Sequence, residues 1–260
     1  MSGLFLAGWL ALVGSASAET LRCDGLEDLR LVNGAAVIKT LPLGETAEGF
    51  ETGSPYPSSG QGQLPVVQGW WPGRYRVQTV CGVLIEGDSY RLKTFGFPDT
   101  ALEQGAIITH RQHCGTCSSL QDLAVYVDTP DLTDPARACA RKGSLAEAAA
   151  CMEAIGFTRP CAETWAYNAG HTRELCARTC RKTYGMVSIL TGRMDQIPNN
   201  LPDGSLNACL ACDETHSGPG FQFAAGRTRR GSGIQSAIQR PKDEVYKVDH
   251  AELPGCRLEQ

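Results

Sequence analysis

The chain predicts an α+β fold: a small antiparallel sheet, a disulfide-stapled helical region and a long ordered C-terminal loop. Three observations carry that expectation. Residues 74–86 put Tyr75, Val77, Thr79, Cys81, Val83 and Ile85 on one face, and residues 90–97 return after a Glu86-Gly-Asp-Ser89 turn, which reads as a pair of strands. Residues 134–184 switch to helical spacing and hold Cys139, Cys151, Cys161, Cys176 and Cys180, the pattern of small stapled helical units. Beyond them lies a stretch rich in glycine, arginine and turn residues with little periodicity, read as a structured loop.

Taken in order, residues 1–18 hold an apolar run ending in Ala16-Ser-Ala18, the form of a signal peptide and its cleavage site. No later window is apolar enough to span a bilayer. Residues 19–260 are then expected as one disulfide-rich extracytoplasmic domain, periplasmic or secreted. Asn33-Gly34 between two apolar pieces signals a hairpin. Residues 42–73 are rich in Gly, Pro, Ser and Gln and read as a surface loop, with Trp70 and Trp71 near its end. The sheet is placed at 74–110, in three or four strands, with a short helical piece opening at Pro98. The helical region is placed at 117–190. There Asp134-Pro135 predicts an N-cap followed by proline, and Ser144 to Glu147 a capping box closed by Gly156. Pro160 opens a long helix to about Tyr184. Residues 191–260 are expected to be loop-rich, with an edge strand at 245–248 and Cys256 anchoring the tail.

The net charge is −4 and 20% of residues are charged, so bulk charge gives no support to nucleic-acid binding or to an anionic-membrane role. The twelve cysteines all follow residue 18. In an oxidising compartment an even count implies disulfides. Two partitions follow. All twelve form six bridges, or eight are staples and two C-x-x-C pairs, Cys114/Cys117 and Cys209/Cys212, stay available for chemistry. Cys176 and Cys180, one helical turn apart, are better placed to bridge to other segments than to each other.

Chemistry concentrates in two stretches. In the first, an apolar run leads to His110, His113 and Cys114-Gly-Thr-Cys117, and helical spacing begins at once with Leu120, Leu123, Ala124 and Val127. Sulfurs at a helix start gain thiolate character from the dipole and free N–H groups. This strand, CGTC turn and helix resemble the active-site corner of thioredoxin-type oxidoreductases over about twenty residues. The resemblance implies Cys114 as attacking thiol, Cys117 as resolving thiol, and His110 or His113 as the group tuning them. No βαβ unit follows, and His113 stands where that family carries an aromatic. The second stretch, residues 207–240, holds Cys209, Cys212, Asp213, Glu214, His216 and Gly226-Arg-Thr-Arg-Arg230.

Three functions are compatible with these residues. The first is thiol–disulfide redox at the CGTC turn with a protein thiol or disulfide as partner. The second is a copper or zinc site drawing on Cys114, Cys117, Cys209, Cys212 and His216, with His110 or His113 as further donors. The third is a non-catalytic binding module with structural disulfides only. In it Arg227, Arg229 and Arg230, together with Asp213 and Glu214, hold a small anionic ligand or pair with one another. The two C-x-x-C pairs are expected to lie close together in space.

Overall fold

The computed structural model describes residues 20–32 and 79–259. The signal-peptide reading, the Asn33-Gly34 hairpin, the 42–73 loop and the tryptophan pair all fall outside those residues. The architecture is α+β. A sheet of four strands runs in the order β2 (Arg30–Leu31), β4 (Ser89–Phe95), β3 (Val80–Glu86), β5 (Ile107–Arg111). Its β3–β4 and β3–β5 ladders are antiparallel, and the two-residue β2 joins β4 in parallel. A separate two-stranded ladder ties β1 (Thr20–Cys23) to β6 (Cys256–Glu259), with Cys23 opposite Cys256 and bonded to it. The tail is thus anchored as its cysteine suggests.

Between β4 and β5 a short helix α1 (Pro98–Glu103) begins with proline in its first turn. After β5 come α2 (Leu120–Asp128), α3 (Thr133–Ala140), α4 (Leu145–Ile155), α5 (Arg159–Tyr184) and α6 (Met186–Thr191). The predicted capping box at Ser144 and Glu147 is present in full, and Gly156 caps the end of α4. Helix α3 starts slightly earlier than Asp134-Pro135 suggests. The Asp131 carboxylate accepts from the Thr133 N–H at 2.8 Å, and so initiates the turn two residues upstream.

Helix α2 is the hinge of the core. Leu120, Leu123 and Ala124 face the sheet and pack with Val83, Tyr90 and Leu92. Val125 and Tyr126 face the other way and pack with Met152, Phe157 and Ala225. One helix thereby seals both the sheet layer and the helical layer.

The stretch after residue 207 is less loop-like than its composition predicts. Asn207 caps α7 (Ala208–His216) by accepting from the Leu210 N–H at 3.1 Å, and α8 (Gly218–Ala225) follows directly. Irregular chain begins at Gly226. The edge strand expected at 245–248 is absent; a short 3-10 turn at Lys242–Glu244 precedes it. Cysteine, glycine and threonine have weak helix propensity, so the asparagine cap and the disulfides described below impose what propensity does not.

Candidate functional site

The CGTC turn sits where the pattern puts it, between the end of β5 at Arg111 and the start of α2 at Leu120. Its bonding differs from the redox expectation. Cys114 is bonded to Cys81 on β3, and Cys117 to Cys161 on the first turn of α5. Both sulfur-bearing residues have no exposed surface. Cys209 and Cys212 are likewise not a pair: they bond Cys180 and Cys176, clamping α7 against the end of α5. Cys139 joins Cys151 across α3 and α4. All twelve cysteines are consumed, which corrects the partition into staples and reserved C-x-x-C pairs. The reason is geometric. Residues i and i+3 on α7 lie on one face and meet Cys176 and Cys180, themselves one turn apart on α5.

The C-terminal segment does fold onto the CGTC turn, but through residues 223–227 and not through the second C-x-x-C. The N–H groups of Thr116 and Cys117 donate to the carbonyls of Ala224 and Ala225, both at 2.9 Å. A Cβ on Gly115 would stand 2.5 Å from the Ala224 carbonyl oxygen, and one on Gly226, whose φ is +70°, 2.4 Å from the Gly115 nitrogen. Glycine at both positions is the condition for this backbone-on-backbone approach.

The histidines of the turn are buried inside that contact. His110 Nδ1 is 2.9 Å from the Arg111 carbonyl and Nε2 is 2.8 Å from Ser118 Oγ. A proton on Nδ1 donates to the carbonyl, so the serine hydroxyl donates to Nε2, while Ser118 Oγ accepts from the Gly115 N–H at 2.8 Å. His113 Nε2 donates to the Phe223 carbonyl at 2.7 Å, its ring 5.1 Å from the Phe223 ring. Burial pushes both histidines down, His113 to about 4; for His110 the nearby Arg227 charge adds to the effect. Both are neutral groups filling the joint between turn and tail.

Arg227 is the centre of the joint. It is fully buried, and all five guanidinium N–H groups are used. Nε donates to the Cys117 carbonyl at 3.0 Å. Nη1 donates to the Thr109 carbonyl and Ser232 Oγ, and Nη2 to Thr109 Oγ1 and the Ser118 carbonyl, each at 3.2 Å. This corrects its assignment to ligand binding: no donor is left for an external anion. Burial lowers its pKa to about 10. Asp122 lies close by in charge terms, fully buried, accepting from Ser119 Oγ at 2.5 Å and from the N–H and hydroxyl of Thr158 at 2.8 and 2.9 Å. Burial raises it to about 6 despite those donors.

The other arginines of the loop are also engaged. Arg229 donates to the carbonyls of Tyr126, Gln235 and Thr129, and its guanidinium lies 5.4 Å from the Tyr126 ring centre. Arg230 pairs with Glu214 and Glu244, and Arg240 with Glu214. Glu214 is therefore an internal lock for the loop. Asp213 accepts from the Thr172 hydroxyl, and burial raises its carboxyl to about 6. His216 ends α7 in an exposed position. Among the described residues no three His, Cys, Asp or Glu side chains are arranged to hold a metal ion. The copper or zinc set is dispersed because its four sulfurs are already bonded elsewhere.

A broad cleft of about 2250 Å³ opens between helices α3 to α5 and residues 228–250. Its floor includes Tyr126, Met152, Trp165 and Phe221, with the Trp165 and Phe221 rings 4.6 Å apart. Ten lysines and arginines line it against three carboxylates, Asp213, Glu214 and Asp249. Lys142, Arg181, Lys242 and Lys247 are exposed, and none has a carboxylate within 4.0 Å among the described residues. No motif in the sequence points to this cleft, because its walls come from segments about a hundred residues apart. The only hint is the recurrence of basic residues at 137–142, 173–182 and 227–247.

Fold and site together define a cysteine-rich α+β protein held by six disulfides, with a basic, aromatic-floored cleft. Residues 145–248, which run from α4 through the cleft's far wall, match the model of a family of unknown function (DUF8771). A search of curated proteins found no match, and neither did a search of solved structures.

Proposed function

We propose that this is an extracytoplasmic, non-catalytic binding module, and that its ligand is an amphipathic anion held in the cleft. The observation that carries the reading is the charge of the cleft. Lys142, Arg181, Lys242 and Lys247, exposed and with no carboxylate within 4.0 Å among the described residues, border an apolar floor, in a chain whose net charge is −4. Low-dielectric walls lined by one sign of charge focus field and raise the local concentration of counter-ions. The aromatic floor supplies apolar surface for a ligand body. Six disulfides support the extracytoplasmic assignment, since such bridges persist in oxidising compartments. The same bonding weighs against thiol exchange at the CGTC turn, because an attacking thiol would have to reach sulfurs with no exposed surface.

The test is calorimetric titration of the oxidised protein with laurate, using dodecanol as the uncharged comparator. Laurate should bind, and dodecanol roughly tenfold or more weakly, a difference of about 1.4 kcal/mol. Lys242→Glu/Lys247→Glu should weaken laurate by a similar factor, and so should raising the salt. Equal binding of laurate and dodecanol, or no laurate binding at all, would overturn the proposal.

A further inference from the structure

A second surface, at the end of α5 and on α6, shares Arg141, Lys142, Arg181, Met186 and Leu190 with the cleft lining and adds Arg178, Lys182, Val187 and Arg193 outside it. Residues 175–193 carry Arg178, Arg181, Lys182 and Arg193 and no carboxylate. Helix α5 ends at Tyr184, Gly185 breaks the direction, and α6 buries none of its six residues. On α6, Leu190 neighbours Met186 at i, i+4 and Val187 at i, i+3. They are 48%, 73% and 74% exposed. Three large apolar side chains on one short helix are more than scattered surface hydrophobics.

The cations surround this tip. Arg178, Arg181 and Lys182 are exposed and share the last face of α5 at i, i+3 and i+4. Arg193 follows α6 and is exposed. The Arg141 guanidinium lies 2.8 Å from where a side chain on Gly192 would begin, and Lys142 is next to it in sequence. Two carboxylates border the patch, Glu174 before it and Asp195 after it. Six exposed cations thus lie on the segments that carry or adjoin the three exposed apolar side chains.

We propose that this tip docks on an anionic bilayer surface, with Val187 and Leu190 at the headgroup–acyl boundary and the cations on lipid phosphates. Apolar residues flanked by lysine and arginine bind such surfaces by apolar burial plus attraction to anionic lipid. A second copy of the chain is a poorer occupant. A two-fold contact places the same patch on both sides, so six cations would face six. A protein groove is poorly served too, because a six-residue helix is only about 9 Å long. The protein lies on the membrane in this reading: no described helix is long and apolar enough to cross one. The inference does not depend on the cleft holding a ligand.

The experiment is co-sedimentation of the oxidised full chain with phosphatidylcholine vesicles, with and without phosphatidylglycerol. The protein should pellet with the anionic vesicles and not with the neutral ones, and salt of about 1 M should release it. Arg178→Gln/Lys182→Gln should weaken retention about twenty-fivefold, taking roughly fivefold for each of the two charges lost. Val187→Asp/Leu190→Asp should weaken it roughly tenfold or more; if that pair lowers the melting temperature, Val187→Ser/Leu190→Ser makes the same comparison. Lys242→Glu/Lys247→Glu, which alters the cleft alone, should retain vesicle binding. Retention on neutral vesicles equal to that on anionic ones would overturn the proposal, as would full retention by both tip variants. So would dimerisation abolished by Leu190→Asp in a chain that ignores vesicles.

Discussion

Removing the Cys81–Cys114 bridge should destabilise the protein more than removing Cys176–Cys212, although their loops are nearly equal. The sequence separations are 33 and 36 residues. Treated as isolated loops, both would contribute about 3.7 kcal/mol at 25 °C through restriction of the unfolded chain. They are not equally isolated. The Cys180–Cys209 bridge lies inside the Cys176–Cys212 loop. While it is intact, the ends of that loop are already joined through four residues on one side and three on the other. Breaking Cys176–Cys212 then releases only a ring of about eight residues, worth about 2.5 kcal/mol on the same relation. The Cys81–Cys114 loop contains no second bridge, so its full value is lost. Burial acts in the same direction, since Cys81 and Cys114 are both fully enclosed while Cys212 is half-buried. The assay is guanidinium unfolding of the oxidised double variants Cys81→Ala/Cys114→Ala and Cys176→Ala/Cys212→Ala, followed by far-UV circular dichroism. Equal m-values would show that both variants unfold from comparable states. A Cys176→Ala/Cys212→Ala loss as large as the other would refute the nested-loop reasoning.

Three further outcomes are expected. Arg227→Met should cost about 3 kcal/mol, because the carbonyls of Thr109, Cys117 and Ser118 lose a buried donor at about 1 kcal/mol or more each; a neutral result in denaturant melts would show that the network is not structural. Gly226→Ala should lose about 3 kcal/mol or more, since its Cβ meets the Gly115 backbone, and an unchanged melting temperature would contradict the described approach of the two chains. His113 should titrate near pH 4 by NMR, well below an unfolded histidine. Its folded pKa is depressed, so its contribution is present above pH 6.5 and is lost as pH falls from 6.5 through 4, by about 3 kcal/mol. Asp122, raised to about 6, acts in the opposite sense: its contribution is present below pH 3.8 and is lost as pH rises through 6. A His113 midpoint above pH 6 would mean that the ring is not enclosed.

Much of the scaffold was legible in the residues themselves. The β3–β4 hairpin follows from two β-prone runs on either side of the Glu86-Gly87-Asp88-Ser89 turn, and α4 from its capping box and terminal glycine. Helix α5 follows from Pro160 and an unbroken helical spacing. These are local signals, each written within a few residues of the element it specifies. The sequence also indicated that Cys176 and Cys180 would each bridge elsewhere, as they do, while leaving open whether the C-x-x-C cysteines would be bonded.

What only the tertiary structure decided was which sulfur meets which, and what the charged loop is for. Cys114 and Cys117 look like a pair because they are close in sequence. In the fold Cys81 and Cys161 arrive from β3 and α5, and the turn becomes a double anchor. Arg227, Arg229 and Arg230 look like one anion-binding fork, yet burial commits the first to main-chain carbonyls and proximity gives the third to glutamates. The cations without carboxylate partners among the described residues, Lys142, Arg181, Lys242 and Lys247, carry no motif because they come together only when helices and tail pack. Spacing along a chain fixes what neighbours within a turn can do. Pairing of sulfurs and summation of charge depend on distances through space, and those are set by the packing of segments that the sequence keeps far apart.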